Sequence, residues 1–464
     1  MMEFSRRSFF GTSTAFAVWS LMGRGASGAE AGEPLIRFGV VSDIHITHKG
    51  KDGDGYRGGT SNTFRKALKF FGERKADAVM IAGDMADHGL LNQLLVVGDE
   101  WRAAFPGNRR PDGQPIEKFF VYGNHDMFRR KGDNPQNIGA RPAECWKQAF
   151  DEEWTPINCK VIKGFTFIGA HWGREKELAA FIAANEQKLG LKGTKPFFYT
   201  QHPHPYRTTY TEWLPYAWDN DRDGKTVTAT LKRYPNAVAF SGHSHEPLNN
   251  PKTVWQDGFT SIGTSSLMYV DEPINCDNSH RGQPKSTRMA KVNDKSRQGW
   301  FVSVYADRMV LERWELEMGE KLGPDRIVSL PAGQGGWQYQ FEKQAMASKA
   351  PEFPVGAKAK AEVFDRDLGN GKKEKCVRVT FPSAVSVDPN YQVWCYDIAA
   401  RNAGWDLQKR RIIAPGYLYP ESRGPKTAEC IFALADLGGS LDGVVFEVVP
   451  LNAFWKGGRP IASM

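Results

Sequence analysis

An α/β domain followed by a smaller β-rich domain is the fold that the sequence predicts, on three observations. From Pro34 to Leu316, short β-branched or aromatic runs alternate with turns rich in Gly, Asp, His and Asn and with helix-like segments. The residues suited to chemistry fall immediately after those runs, which places them along the carboxyl edge of a sheet. Beyond about residue 350 the strand-like runs continue while the helical period disappears.

The strand runs of the first part are Ile36–Val41, Ala78–Ile81, Lys118–Tyr122, Phe165–Ile168, Phe197–Thr200 and Ala237–Phe240. All are short, as buried strands are. Asn62 or Ser61 can cap a helix in which Phe64, Ala67, Leu68 and Phe71 recur at i, i+3, i+4 and i+7, giving one buried stripe. Leu90–Phe105 and Arg174–Leu189 read as helices in the same way. The segment 317–350, with its Pro331-Ala332-Gly333-Gln334-Gly335-Gly336 stretch, reads as a linker that runs on into Ala/Lys-rich sequence near Ala357–Ala361. In 351–464 the runs Cys376–Phe381, Tyr391–Tyr396, Cys430–Ala433 and Val444–Val449 are separated by turn signals such as Asp388-Pro389-Asn390 and Gly438-Gly439. That is the spacing of a small β-sandwich. One domain is therefore expected at 34–316 and a second at 351–464.

The 464 residues suffice for two or three domains, and 41% hydrophobic with 25% charged residues excludes a disordered chain and a multi-span membrane protein. The 61 basic residues exceed the 53 acidic ones by 8, which favours anionic partners such as phosphate esters. The basic residues are dispersed, so no nucleic-acid track is expected. Six cysteines (Cys145, Cys159, Cys276, Cys376, Cys395 and Cys430) form no C-x-x-C pair, which argues against a structural zinc site and for plain buried thiols.

One segment reads as an address. Ser5-Arg6-Arg7-Ser8-Phe9-Phe10 precedes an apolar stretch, Ala15–Met22, too short to span a bilayer, and then a small-residue region ending at Ala31. This resembles a twin-arginine export signal. It predicts a cleaved signal peptide over 1–31, a periplasmic or otherwise extracytoplasmic mature chain without a transmembrane span, and a compartment in which disulfides are permitted.

Five blocks follow the strand runs: Asp43-Ile44-His45, Gly83-Asp84-Met85-Ala86-Asp87, Gly123-Asn124-His125-Asp126, His202-Pro203-His204 and Gly242-His243-Ser244-His245. They supply oxygen and imidazole donors and no thiolate, a set suited to divalent Mn, Fe or Zn. Seven donors exceed the need of one tetrahedral ion and suffice for two ions sharing a carboxylate, the arrangement that clamps both oxygens in phosphoryl transfer.

The order D-x-H, G-D-x-x-D, G-N-H-D, H, G-H-x-H resembles the calcineurin-like metallophosphoesterases over about 280 residues of this chain. The resemblance implies a four-layer αββα sandwich and two divalent transition-metal ions. One ion is implied to take Asp43, His45, Asp84 and His245, and the other Asp84, Asn124, His202 and His243, with Asp84 bridging. It further implies in-line attack on phosphorus by a metal-bound hydroxide, with His125 serving the leaving oxygen and Asp126 orienting that imidazole. The expected activity is hydrolysis of phosphomonoesters or phosphodiesters. An exported nuclease, or a non-catalytic surface-binding protein on the same fold, stands as the alternative.

Other residues carry narrower expectations. Asp87 occupies the position where purple acid phosphatases place an iron-binding Tyr, so no charge-transfer colour is expected. His204 is expected to face substrate or solvent, and His171 either the crevice or a structural hydrogen bond. Asp219-Asn220-Asp221-Arg222-Asp223-Gly224 opens like a calcium loop, but Thr230 stands where a bidentate Glu is needed, which favours a solvated turn. Asp52-Gly53-Asp54-Gly55 reads as a loop over the pocket. The segments Lys49–Asn62, Met127–Cys145 and Tyr206–Trp218 are the expected determinants of the leaving-group pocket.

Overall fold

The computed structural model describes residues 32–47, 60–128, 136–209, 224–270, 276–278, 296–333, 336–420 and 423–463. The export segment 1–31, the Asp52–Gly55 loop and Asp219–Asp223 of the calcium-like loop lie outside these residues, as do most of Lys49–Asn62 and of Tyr206–Trp218 and residues 129–135 of Met127–Cys145.

Two sheets face each other in the first part of the chain. In the first, β1 (Ile36–Val41), β2 (Ala78–Ala82) and β3 (Glu117–Val121) run parallel, and β10 (Gln298–Val304) and β11 (Arg308–Glu315) extend the β1 edge antiparallel. The second has the order β4 (Ile157–Ile162), β5 (Phe165–Ala170), β6 (Phe197–Thr200), β7 (Ala237–Ser241), β9 (Thr260–Gly263) and β8 (Val254–Gln256), parallel from β5 to β9.

Phe38 of β1 meets Phe167, Phe198 and Phe240 of the opposite sheet edge-on at 4.8–5.8 Å, so the inner layer is an aromatic core. Helices α1 (Thr60–Glu73), α2 (Leu91–Ala104) and α3 (Pro142–Phe150) cover the outer face of the first sheet, packing Phe64, Phe71, Leu94, Trp101 and Trp146 against it. Helices α4 (Leu178–Leu189) and α5 (Gly224–Leu231) cover the second through Leu178, Ile182, Val227 and Leu231. The result is the four-layer αββα sandwich. The buried stripe Phe64, Ala67, Leu68 and Phe71 is as the sequence predicts, although the helix begins at Thr60, ahead of both expected caps.

The segment 317–350 contains structure of its own. Here β12 (Glu320–Lys321) and β13 (Arg326–Ser329) both pair with β11, and α6 (Phe341–Ala347) follows. The Ala/Lys-rich sequence leads into β14 (Lys360–Asp367), which pairs with β15 (Lys373–Pro382), and β15 with β18 (Thr427–Ala433). A second sheet, β17 (Trp405–Ile413), β16 (Val393–Asn402), β19 (Val444–Asn452) and β20 (Ile461–Ala462), encloses with it a core of Val379, Phe381, Tyr396, Ile412, Phe432 and Val448. Asn249 Nδ2 donates to the Tyr417 carbonyl at 2.9 Å and Gln298 Nε2 to the Leu418 carbonyl at 3.0 Å, tying these β-sheets to the sandwich. Five cysteines are buried and Cys159 is half-buried. Among the described residues no helix is long and apolar enough to cross a membrane.

Candidate metal centre

The carboxyl ends of β1, β2 and β3 and of β6 and β7 converge, and the five blocks occupy the turns that leave them. The first two turns are stitched together by Asp43 N–H donating to the Gly83 carbonyl (3.0 Å) and by Ile44 and His45 N–H donating to the Asp84 carbonyl (2.8 and 3.0 Å). Asp43, His45, Asp84, His243 and His245 all sit at positive φ, between 47° and 71°. Each such non-glycine residue costs about 1–3 kcal/mol, so the rest of the fold must hold this backbone in place.

The glycine that opens three of the blocks has a steric cause. A Cβ on Gly83 would lie 2.5 Å from His202 Nδ1, one on Gly123 2.2 Å from Asp84 Oδ1, and one on Gly242 2.4 Å from Asp43 Oδ2. Only glycine lets these turns close on one another.

Asp43 Oδ1 lies 3.0 Å from His245 Nε2, 3.8 Å from His45 Nε2 and 3.9 Å from His202 Nε2. Asp84 Oδ2 lies 3.1 Å from His202 Nε2 and 3.5 Å from His45 Nε2, and His243 Nδ1 lies 3.2 Å from His202 Nε2. Donor atoms gather into three overlapping triads: Asp43, His45 and His245; His45, Asp84 and His125; Asp84, His202 and His243. Asp84 belongs to two of them.

The tautomers follow from the outer contacts. Nδ1 of His45 faces Asp87 Oδ1 (2.9 Å), Nδ1 of His202 the Ala82 carbonyl (2.8 Å) and Nδ1 of His245 the Tyr269 carbonyl (3.0 Å). An acceptor at Nδ1 puts the proton there and leaves the Nε2 lone pair aimed at the two carboxylates. Lone pairs directed at anionic oxygens need positive charge between them. Asn124 Oδ1 is buried without a hydrogen-bond partner. This donor set fits divalent metal ions.

The same carboxylates and imidazoles also stabilise one another's charged forms. Burial disfavours charge at Asp43 and Asp84, yet the neighbouring histidines overcome it and hold Asp43 well below the carboxylate range and Asp84 at about 2. Burial likewise opposes charge on His202 and His45, but the two carboxylates raise His202 to about 9 and His45 well above its usual value.

Two roles expected from the sequence need correction, and a third is decided between its two alternatives. Asp126 does not orient His125: its carboxylate accepts from the N–H groups of Ala86 (2.6 Å), Gly123 (2.8 Å) and Met85 (3.3 Å), bracing two of the turns. Burial, with Asp84 nearby, lifts it to about 7. The group that holds His125 is Asp87, whose main-chain carbonyl lies 2.9 Å from His125 Nδ1. His204 faces neither substrate nor solvent, because Ser241 Oγ (2.7 Å) and Ser244 Oγ (2.8 Å) bracket its buried ring. Burial lowers its pKa to about 3. His171 takes the structural alternative: it is buried beside Tyr122, Trp146 and Trp154, and its Nδ1 accepts from Tyr122 N–H at 3.0 Å.

Two aromatic residues at the centre escaped the sequence reading. Trp172 stands 6.1 Å from the His202 ring and 6.0 Å from that of His243, and the Tyr269 ring lies 4.3 Å from that of His245, tilted by 37°. Trp172 follows the unusual Ala170-His171 strand end, the one signal that could have revealed it.

Residues 36–247 match the model of the calcineurin-like phosphoesterase family. No curated protein matches the chain in sequence. Similar solved structures include a dimetal phosphatase from Danio rerio, with 12% identity, 64% of this chain and 99% of that chain covered, and a TM-score of 0.41. Another is purple acid phosphatase PPD1 from yellow lupin (Lupinus luteus) seeds, with 14% identity, 64% and 55% covered, and a TM-score of 0.42. The family match over 36–247, coming on residues that converge on one polar centre, identifies a calcineurin-like metallophosphoesterase domain in this chain and makes the protein a hydrolase of phosphoric ester bonds.

Proposed function

We propose that the protein is an exported phosphodiesterase or phosphomonoesterase that works with two divalent transition-metal ions, Mn, Fe or Zn. The observation that supports this reading is the gathering of His45, His202, His243 and His245 around Asp43 and Asp84, with Asp84 common to two triads. Asp43, His45, Asp84 and His245 would hold one ion, and Asp84, Asn124, His202 and His243 the other. When bound, such ions supply Lewis acidity towards the phosphoryl oxygens and lower the pKa of water to near neutrality.

The residues of the chain do the rest. The outer acceptors Asp87, Ala82 and Tyr269 fix three imidazoles in the metal-binding tautomer. His125, with a third of its side chain exposed, has Nδ1 held by the Asp87 carbonyl, so that Nε2 is the atom from which its imidazolium form would hand a proton to the departing oxygen. Export rests on Arg6-Arg7 ahead of Phe9 and on the short apolar stretch after them.

The test is hydrolysis of one chromogenic monoester and one chromogenic diester by protein reconstituted with Mn, Fe or Zn. Turnover of at least one ester, abolished by chelation and restored by metal, is the expected result. Inertness of fully loaded protein towards both would refute the proposal.

A further inference from the structure

We propose that Phe128 is a specificity-determining residue that selects phosphate esters whose leaving group carries a flat aromatic ring. The inference rests on the reading of His125 as the group that meets the leaving oxygen. Phe128 is 45% exposed, and its ring centroid lies 4.6 Å from that of His125, tilted by 55°. A phenylalanine with so much surface in water has apolar area still to bury, and this area adjoins the imidazole that faces the leaving group.

The position of Phe128 is set by backbone packing. Gly89, at φ 64°, lies so close beneath the turn that a Cβ there would be 2.8 Å from the Phe128 carbonyl oxygen and 3.0 Å from that of Asp126. The ring is therefore carried by the same tightly held turn as His125. Trp172 and Tyr269 flank other sides of the centre and are half-buried, so Phe128 has the most open face of the three.

Methyl benzyl phosphate and methyl cyclohexylmethyl phosphate release alcohols of similar basicity and differ in the flat aromatic face. Metal-loaded wild-type protein is expected to favour the benzyl ester in kcat/KM by about tenfold, the order of one aromatic stack. In Phe128→Ala the preference should fall towards unity, and in Phe128→Trp it should persist, with metal content unchanged in both. Calorimetric binding of benzylphosphonate against cyclohexylmethylphosphonate reads the same preference without turnover. Equal handling of the two esters by the wild type, or an unchanged preference in Phe128→Ala, overturns the inference and leaves the phosphoesterase reading intact. Failure to hydrolyse either ester together with failure to bind either phosphonate overturns both.

Discussion

The main-chain carbonyl of Asp87 lies 2.9 Å from His125 Nδ1, while the Asp87 carboxylate lies 2.9 Å from His45 Nδ1. One residue thus steers two imidazoles through different atoms. The two effects separate on mutation, because Asp87→Ala removes the carboxylate and keeps the carbonyl. We expect Asp87→Ala to weaken metal retention about 10–100-fold, the usual cost of losing such a partner. Its dependence on leaving-group basicity should change far less than that of His125→Ala, because the carbonyl on His125 Nδ1 stays and only a carboxylate 3.7 Å away is lost. His125→Ala should show the converse: metal stays bound, turnover falls about 10²–10⁴-fold, and a better leaving group narrows the gap. Metal analysis and a leaving-group series on both variants check this.

Gly123→Ala places a methyl group 2.2 Å from Asp84 Oδ1 and 2.4 Å from the Asp84 amide nitrogen. The backbone of two turns must shift, so we expect both lower metal content and a loss of stability on the order of 3 kcal/mol, within the range of severe overpacking. At Gly193 the nearest atom to such a group is 3.4 Å away, and Gly193→Ala should be nearly silent. Thermal unfolding in chelator, beside metal analysis, measures both.

Burial lowers the pKa of His171 to about 3, with Arg174 adding to the effect. The unfolded chain takes up this proton near pH 6.5 and the folded chain does not, so stability present above about pH 6.5 is lost progressively as pH falls towards 3. The total is on the order of several kcal/mol. His171→Asn keeps an acceptor for Tyr122 N–H and cannot be charged. Its unfolding free energy should fall less steeply between pH 6.5 and 4 than that of the wild type; parallel slopes would remove His171 as the cause.

Replacement of Arg6 and Arg7 by Lys should leave the precursor uncleaved in the cytoplasm, whereas the wild-type chain should mature to an N-terminus near Gly32. N-terminal sequencing of fractionated material decides it, and a wild-type chain found uncleaved would end the export proposal.

The strands that carry chemistry were legible because each is an apolar run ending in a polar turn; β1 and β6 have the predicted bounds. Strand β11 was not, because Arg308, Glu312, Arg313 and Glu315 interrupt it. Arg313 is wholly buried there, donating to the carbonyls of Pro324 and Leu248, partners that no local pattern reveals. The donors at the centre could be read from their order, but their supports could not. Whether His204 meets substrate or two serines depends on Ser241 and Ser244, some forty residues away across the sheet. That Asp87 and not Asp126 holds His125 depends on a carbonyl, which every residue possesses.

The most direct measurement of the central claim is metal stoichiometry by elemental analysis after reconstitution with Mn, Fe or Zn, on wild-type protein and on Asp84→Ala. Two ions per chain are expected in the wild type, and impaired binding of both when Asp84, common to two triads, is removed. A wild-type chain that binds no ion or only one, or an Asp84→Ala variant that retains two, would contradict it.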